Sequence, residues 1–265
     1  MRILYFCPPH TDKKLLLMKK ILALAFLAFA LNAQAQDADT SSPKTPVGGR
    51  PNLPNDLTIE FGWTQLTNRP ADLELNFFGS RSFNVYYQAP IRLFGEKSGV
   101  VLSPGLGISA NKFSFKGDEN LFRNTAKGAN SSVLKDVKSV YGTNIDIKAN
   151  NLAVNYVEIP VDLQYHVNKD DYSKSFRVSI GAKVGFLYQA QSKVSFDSPT
   201  TGAVKIKQAE DYGLEKIRYG VNVKVGSPGF YVWSTYYLNG MWQPDRGPFN
   251  TEANQISFGL AIGLF

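Results

Sequence analysis

The sequence predicts an all-β fold: an eight-stranded antiparallel up-and-down transmembrane β-barrel, after a cleaved signal peptide and a flexible linker. Three observations predict it. Eight stretches alternate apolar and polar residues with period two. The connections between them alternate short and long, as in membrane barrels. After the N-terminal apolar run, no other approaches the roughly 20 residues that a membrane-spanning helix needs.

The elements follow in chain order. Lys19 and Lys20, the apolar run from Ile21 to Leu31, and Ala33-Gln34-Ala35 have the charged, apolar and small-x-small order of an export signal. Cleavage after Ala35 is expected to remove residues 1–35, with the stretch before Met18 an overlong start. Those residues hold Cys7, five basic residues (Arg2, Lys13, Lys14, Lys19, Lys20) and one acidic residue, Asp12. The whole chain has 29 Lys and Arg against 22 Asp and Glu, so the mature chain keeps a net charge of +3. That excess gives no reason to expect nucleic acid as a partner. A mature chain without cysteine has neither a disulfide nor a thiol nucleophile. Residues 36–56 include Pro43, Gly48, Gly49, Pro51 and Pro54 and lack apolar area, so they read as a flexible periplasmic linker. The barrel is expected over residues 57–265.

Residues of one parity share one face of a strand. The first strand sets Leu57, Ile59, Phe61 and Trp63 against Thr58, Glu60, Gly62 and Thr64. The second sets Phe83, Val85, Tyr87, Ile91 and Leu93 against Ser82, Asn84, Tyr86, Gln88 and Arg92. The third has Leu102, Leu106, Ile108 and Ala110 on one face, and Ser103, Gly105, Gly107 and Ser109 on the other. In the fourth, Val157, Ile159, Val161, Leu163, Tyr165 and Val167 alternate with Glu158, Pro160, Asp162, Gln164 and His166. The fifth runs from Phe176 to about Gln189, with Arg177, Lys183, Gly181 and Gly185 on its polar face. The sixth sets Ile217, Tyr219, Val221, Val223 and Val225 against Arg218, Gly220, Asn222 and Lys224. The seventh, from about Phe230 to Asn239, has aromatics at both parities and leaves its facing open. The eighth sets Ile256, Phe258, Leu260, Ile262 and Leu264 against Ser257, Gly259, Ala261 and Gly263. Short connections follow strands two, four and six. The long ones cover roughly 67–81, 114–150, 195–213 and 240–253.

Periodicity alone does not say whether the apolar face lies inside or outside. Glycines on the polar face suit a crowded small lumen. Aromatics at strand ends (Trp63 and Tyr188, Tyr165 and Phe176) suit the headgroup zones. The chain stops at Phe265 directly after a strand. The apolar face is therefore expected to meet lipid. Phe265 has the opposite parity to Leu264 and Ile262, which requires a bulge or a place below the membrane.

Asn155-Tyr156-Val157-Glu158-Ile159-Pro160 is similar to the Tyr-x-Glu-Ile-Pro strand of the PorT-like outer-membrane barrels. Leu102-Ser103-Pro104-Gly105-Leu106-Gly107 resembles that family's glycine-bearing third strand. The resemblance covers residues 57–265. It implies a small eight-stranded barrel in the outer membrane. One member takes part in protein secretion, a role that does not pass to every relative.

The polar parities assemble a charge network: Glu60, Arg92, Glu158, Asp162, Arg177, Lys183, Arg218 and Lys224. Mutual neutralisation inside a plugged lumen is favoured over an ion path, because buried charges are costly unless paired and eight strands leave a lumen that side chains just fill. Position sums across the turn after Asn168 pair Glu158 with Lys183 and Asp162 with Arg177. Glu158 and Asp162 lie about 13 Å apart along one strand, too far for a glycosidase pair. His166 is the one histidine left after signal removal, beside a short turn, away from the outer leaflet where a lipid-modifying enzyme would work. One histidine and no cysteine support no metal site, although Asp170-Asp171 could touch Ca²⁺. There is neither a P-loop nor a dinucleotide fingerprint, so no cofactor is expected. Asn130-Ser131-Ser132 fits a glycosylation sequon of little weight in a bacterial protein. The expectation is a non-enzymatic outer-membrane barrel in contact with outer-membrane lipid. Its external loops, chiefly 114–150, would meet envelope or secretion proteins. A lipid-modifying enzyme and a narrow channel are the alternatives.

Overall fold

The computed structural model describes residues 56–264 except 96–97, 129, 170–174 and 228. The expectations for residues 1–55, for Asp170-Asp171 and for Phe265 lie outside the described residues. In chain order the elements are β1 (Asp56–Thr67), β2 (Arg81–Gln88), β3 (Ile91–Arg92), β4 (Val100–Ser114), β5 (Glu119–Arg123), β6 (Ser132–Asp136), α1 (Val137–Tyr141), β7 (Asp146–His166), β8 (Arg177–Ser198), β9 (Gly202–Ala209), β10 (Ile217–Ser227), β11 (Phe230–Gly240) and β12 (Asn254–Gly263).

Eight of these strands close a ring. β1, β2, β4, β7, β8, β10, β11 and β12 pair in that order, every pair antiparallel. β12 returns to β1, from Thr58 opposite Gly263 to Thr67 opposite Asn254. β3 continues β2 after Ala89-Pro90 and keeps its register on β4. The ladder between β4 and β7 skips Gly105-Leu106 and Ile159-Pro160, where Pro160 has no N–H to give.

The expected facing is borne out. Ile159, Val161, Leu163 and Tyr165 on β7 are 36–47% exposed, whereas Glu158 and Asp162 between them are 0% exposed. This is the inverse of a soluble barrel. β11, open in the sequence, turns Tyr231, Trp233, Thr235 and Tyr237 inward. These bulky side chains sit beside neighbours that have none. Trp233 lies opposite Gly259, Tyr237 opposite Gly220 and Tyr231 opposite Gly226. A Cβ on Gly259 would fall 2.2 Å from the Phe61 carbonyl oxygen, so only glycine fits there.

β7 and β8 extend well beyond the stretches expected from alternation. Beyond the lipid the outside turns from hydrocarbon to water, so the polarity of both faces reverses while the strand runs on. On β7 the parity that buries Asp162 and Glu158 goes on to bury Tyr156, Val154 and Leu152. On β8 a bulge at Tyr188, between the pairs Tyr156–Leu187 and Asn155–Gln189, shifts the phase, so that Ala190, Val194 and Phe196 are buried.

The long connections are folded. β5 and β6 form a hairpin with Leu121 opposite Leu134. The 195–213 connection contains the end of β8 and β9, joined by another hairpin. Leu66, Leu73, Phe113, Leu121, Leu152, Leu214 and Trp242 make an apolar core at the long-loop end of the barrel. Phe122, Val137, Val194 and Phe196 form a second cluster at the same end, and the two clusters with β5, β6, α1 and β9 make up a folded head.

Candidate functional site

Six of the eight charges singled out in the sequence meet in the lumen. Glu60 on β1, Glu158 and Asp162 on β7, Lys183 on β8, and Arg218 and Lys224 on β10 are all buried. Their inward parity is fixed by the apolar residues that alternate with them. Three carboxylates face three cations, so the band is neutral.

The contacts cross the lumen. Arg218 Nη2 lies 2.7 Å from Glu158 Oε1. Lys183 Nζ is 3.2 Å from Glu60 Oε2. Lys224 bridges two carboxylates, 3.0 Å from Glu60 Oε1 and 3.2 Å from Asp162 Oδ2. Neutral donors use the remaining acceptor capacity. Tyr86 and Tyr237 donate their hydroxyls to Glu158, the latter at 2.8 Å. Asn84 donates to Glu60 at 2.9 Å, and Gln88 and Asn222 donate to Asp162 at 2.9 and 2.8 Å. The Arg218 guanidinium lies over the Tyr156 and Tyr237 rings, 3.7 and 4.1 Å from their centroids. Towards the long-loop end Arg218 also donates to Gln255 and Ser109, both at 2.8 Å. Gln255 in turn donates to Thr64 and Ser257 at 3.0 and 3.1 Å.

The expected hairpin pairs are corrected. Glu158 stands opposite Gly185, Asp162 opposite Gly181, and Arg177 opposite His166. A Cβ on Gly181 would lie 2.1 Å from Asp162 Oδ1. The space left by these glycines lets both carboxylates lean past β8 to partners on β10. Arg92 and Arg177 lie outside the buried band. Arg92 is solvent-exposed on β3 at the short-turn end. Arg177 is half-buried, 5.2 Å from the Tyr231 ring centroid. His166 is buried at that same end. Asn130 is exposed in the β5–β6 connection. Among the described residues, no group of three or more His, Cys, Asp or Glu could hold a metal ion.

Sequence reasoning did not single out Tyr86, Gln88, Asn222, Tyr156, Tyr237 and Trp233 as members of the band. For Tyr237 and Trp233 the available signal was Gly220 and Gly259 on the flanking strands, which need a large inward neighbour to fill the lumen. One partly open crevice among the described residues, of about 20 Å³, is lined by Thr58, Gln88, Gln164, Arg177, Ser179, Lys224 and Tyr231. That is room for about one water.

A family model described as outer membrane protein beta-barrel domain matches residues 34–242. Two solved structures show some likeness. Ail, the attachment invasion locus protein of Yersinia pestis, solved with the heparin analogue sucrose octasulfate, is 12% identical over 79% of this chain and 95% of that one, with a TM-score of 0.33. A mutant of the Rh. blastica porin is 12% identical over 79% of this chain and 98% of that one, with a TM-score of 0.19. No curated protein matches. The family follows from the matched residues and not from these two likenesses. With a closed ring of strands, an apolar outer belt and that match, the chain belongs to the outer membrane protein beta-barrel domain family and is a protein of the cell outer membrane.

Proposed function

We propose that the chain is a non-enzymatic outer-membrane barrel with a plugged lumen, and that its folded external head is the working surface, engaged with an envelope or secretion assembly. The observation that carries this reading is the stacking inside the barrel. A neutral band of three carboxylates and three cations lies beneath the apolar layer of Leu66, Phe113, Leu152, Leu214 and Trp242. An ion on this path would have to break compensated charge pairs and then cross a dry layer, both costly. The Tyr-x-Glu-Ile-Pro strand supports the PorT-like assignment within the family. Tyr156 and Glu158 grip one arginine, Arg218, from two sides.

His166 lies at the short-turn end; with the long-loop end outward that is away from the outer leaflet, which supports a reading without a lipid-modifying role. Planar-bilayer recording tests the plug. The purified full chain should give no resolvable conductance steps, and steady single-channel steps would reject it. Crosslinking of intact cells followed by co-purification tests the head. Stable envelope-protein adducts should form at head positions and fail to form when β5–β6 is deleted.

A further inference from the structure

The outward face of the barrel changes character just beyond the lipid belt, on one side only. Arg81 stands two positions beyond Phe83 on β2, and Lys112 two positions beyond Ala110 on β4, about 6–7 Å along each strand. They are direct cross-strand partners, and Trp63 is the partner of Arg81 on the other side. Both cations are exposed. Further out, Lys193 on β8 is the direct partner of Lys207 on β9, with Lys205 two positions along. Asn155, Gln189 and Gln191 occupy the outward face between these groups.

Like charges directly opposite on a sheet destabilise it, and this face has two such pairs. No described carboxylate forms an ion pair with any of the five cations. Partial burial, then the charges of Lys205, Lys112 and Lys207, hold the Lys193 amine below the ordinary lysine value. Lysine on β9 has a structural use, since β9 is an edge strand and charge there blocks pairing with another chain. That does not account for Arg81, Lys112 or Lys193, whose strands are paired on both sides.

We infer that this basic face is a docking site for the phosphate groups of the outer-leaflet lipid. Charge complementarity selects an anion. Continuity with the lipid belt selects its source, because Arg81 and Lys112 begin where Phe83 and Ala110 end, in the headgroup zone. The cations on β8 and β9 lie further out, along the anionic groups that such a lipid carries above its headgroup. The assignment rests on the long-loop end facing outward.

Native mass spectrometry of the full chain in detergent, with added lipid A, tests it. The wild-type protein should retain bis-phosphorylated lipid A at least tenfold more than phosphatase-treated lipid A. The fivefold variant Arg81→Gln, Lys112→Gln, Lys193→Gln, Lys205→Gln, Lys207→Gln should lose that preference. The pair Arg81→Gln, Lys112→Gln alone should reduce it at least threefold, with heat-modifiable migration kept. Equal retention of the two lipids by the wild-type protein needs no variant and overturns the assignment. So does an undiminished preference in a folded variant, or a soluble sulfated polysaccharide that binds this face as tightly as the lipid does. Orientation is read separately on cells. A Lys207→Cys variant labelled only after permeabilisation would overturn the outward placement itself, whereas loss of lipid preference alone would overturn only the docking site.

Discussion

Arg218 holds Glu158 through Nε and Nη2, reaches Gln255 and Ser109 with its terminal amines, and is sandwiched by two tyrosine rings. Such a residue cannot be removed alone without leaving a buried carboxylate uncompensated. Arg218→Met and Glu158→Gln should each cost about 3–5 kcal/mol, read as shifts in the urea unfolding midpoint of the refolded protein. The double change should cost less than the sum, by roughly 1–3 kcal/mol. Lys183→Met combined with Glu158→Gln should couple more weakly, because Lys183 forms its ion pair with Glu60 instead. Additive losses for Arg218 and Glu158 would reject the pairing. At Gly107 a Cβ would meet the Val85 carbonyl oxygen at 2.1 Å and the Tyr86 ring at 2.4 Å. Gly107→Ala should therefore destabilise by about 1–3 kcal/mol, and an unchanged midpoint would contradict this packing.

At the scale of strands, alternation is a reliable guide wherever one face meets hydrocarbon. Val157 to Tyr165 shows strand and facing at once, because lipid tolerates only one kind of residue on its side. The same rule fails above the belt. There Asn155, Lys193 and Gln191 face outward and Leu152, Val154 and Val194 face inward, so the apolar phase reverses and the alternation that marks the strand in the sequence breaks off. Nor can parity tell which partner a charge chooses across a lumen. It placed Glu158 and Lys183 on one face, but the glycines opposite the carboxylates send them to β10. β11 was illegible for a related reason, since lumen and lipid both accept aromatics. The Tyr188 bulge makes a prediction of its own. It is the extra residue between two ladders that are each in phase, so deleting Tyr188 should leave a barrel with heat-modifiable migration. Deleting Val184, inside the unbulged ladder, should abolish it by turning neighbouring side chains to the wrong face. Equal behaviour of the two deletions would contradict the bulge.

The described barrel is layered along its axis: a neutral charged band, a layer of amides and hydroxyls, an apolar core, and a folded head. Closure leaves no strand edge in lipid, which is what a barrel requires, and β9 displays its edge only beyond the belt. The three tryptophans sample this layering. Trp63 is half-buried and stacked on Phe77 at the rim of the belt, 6.1 Å between centroids. Trp233 is 1% exposed in the lumen, and Trp242 is 1% exposed in the core beneath the head. The most direct measurement is fluorescence quenching of single-tryptophan proteins, made by Trp→Phe changes at the other two positions, in vesicles of brominated phosphatidylcholine and with aqueous acrylamide. The filled, lipid-facing barrel predicts strong bromolipid quenching of Trp63 and little quenching of Trp233 by either agent. Trp233 quenched by acrylamide as readily as free tryptophan would mean an open lumen, and Trp233 quenched by bromolipid as strongly as Trp63 would mean that its inward facing is wrong.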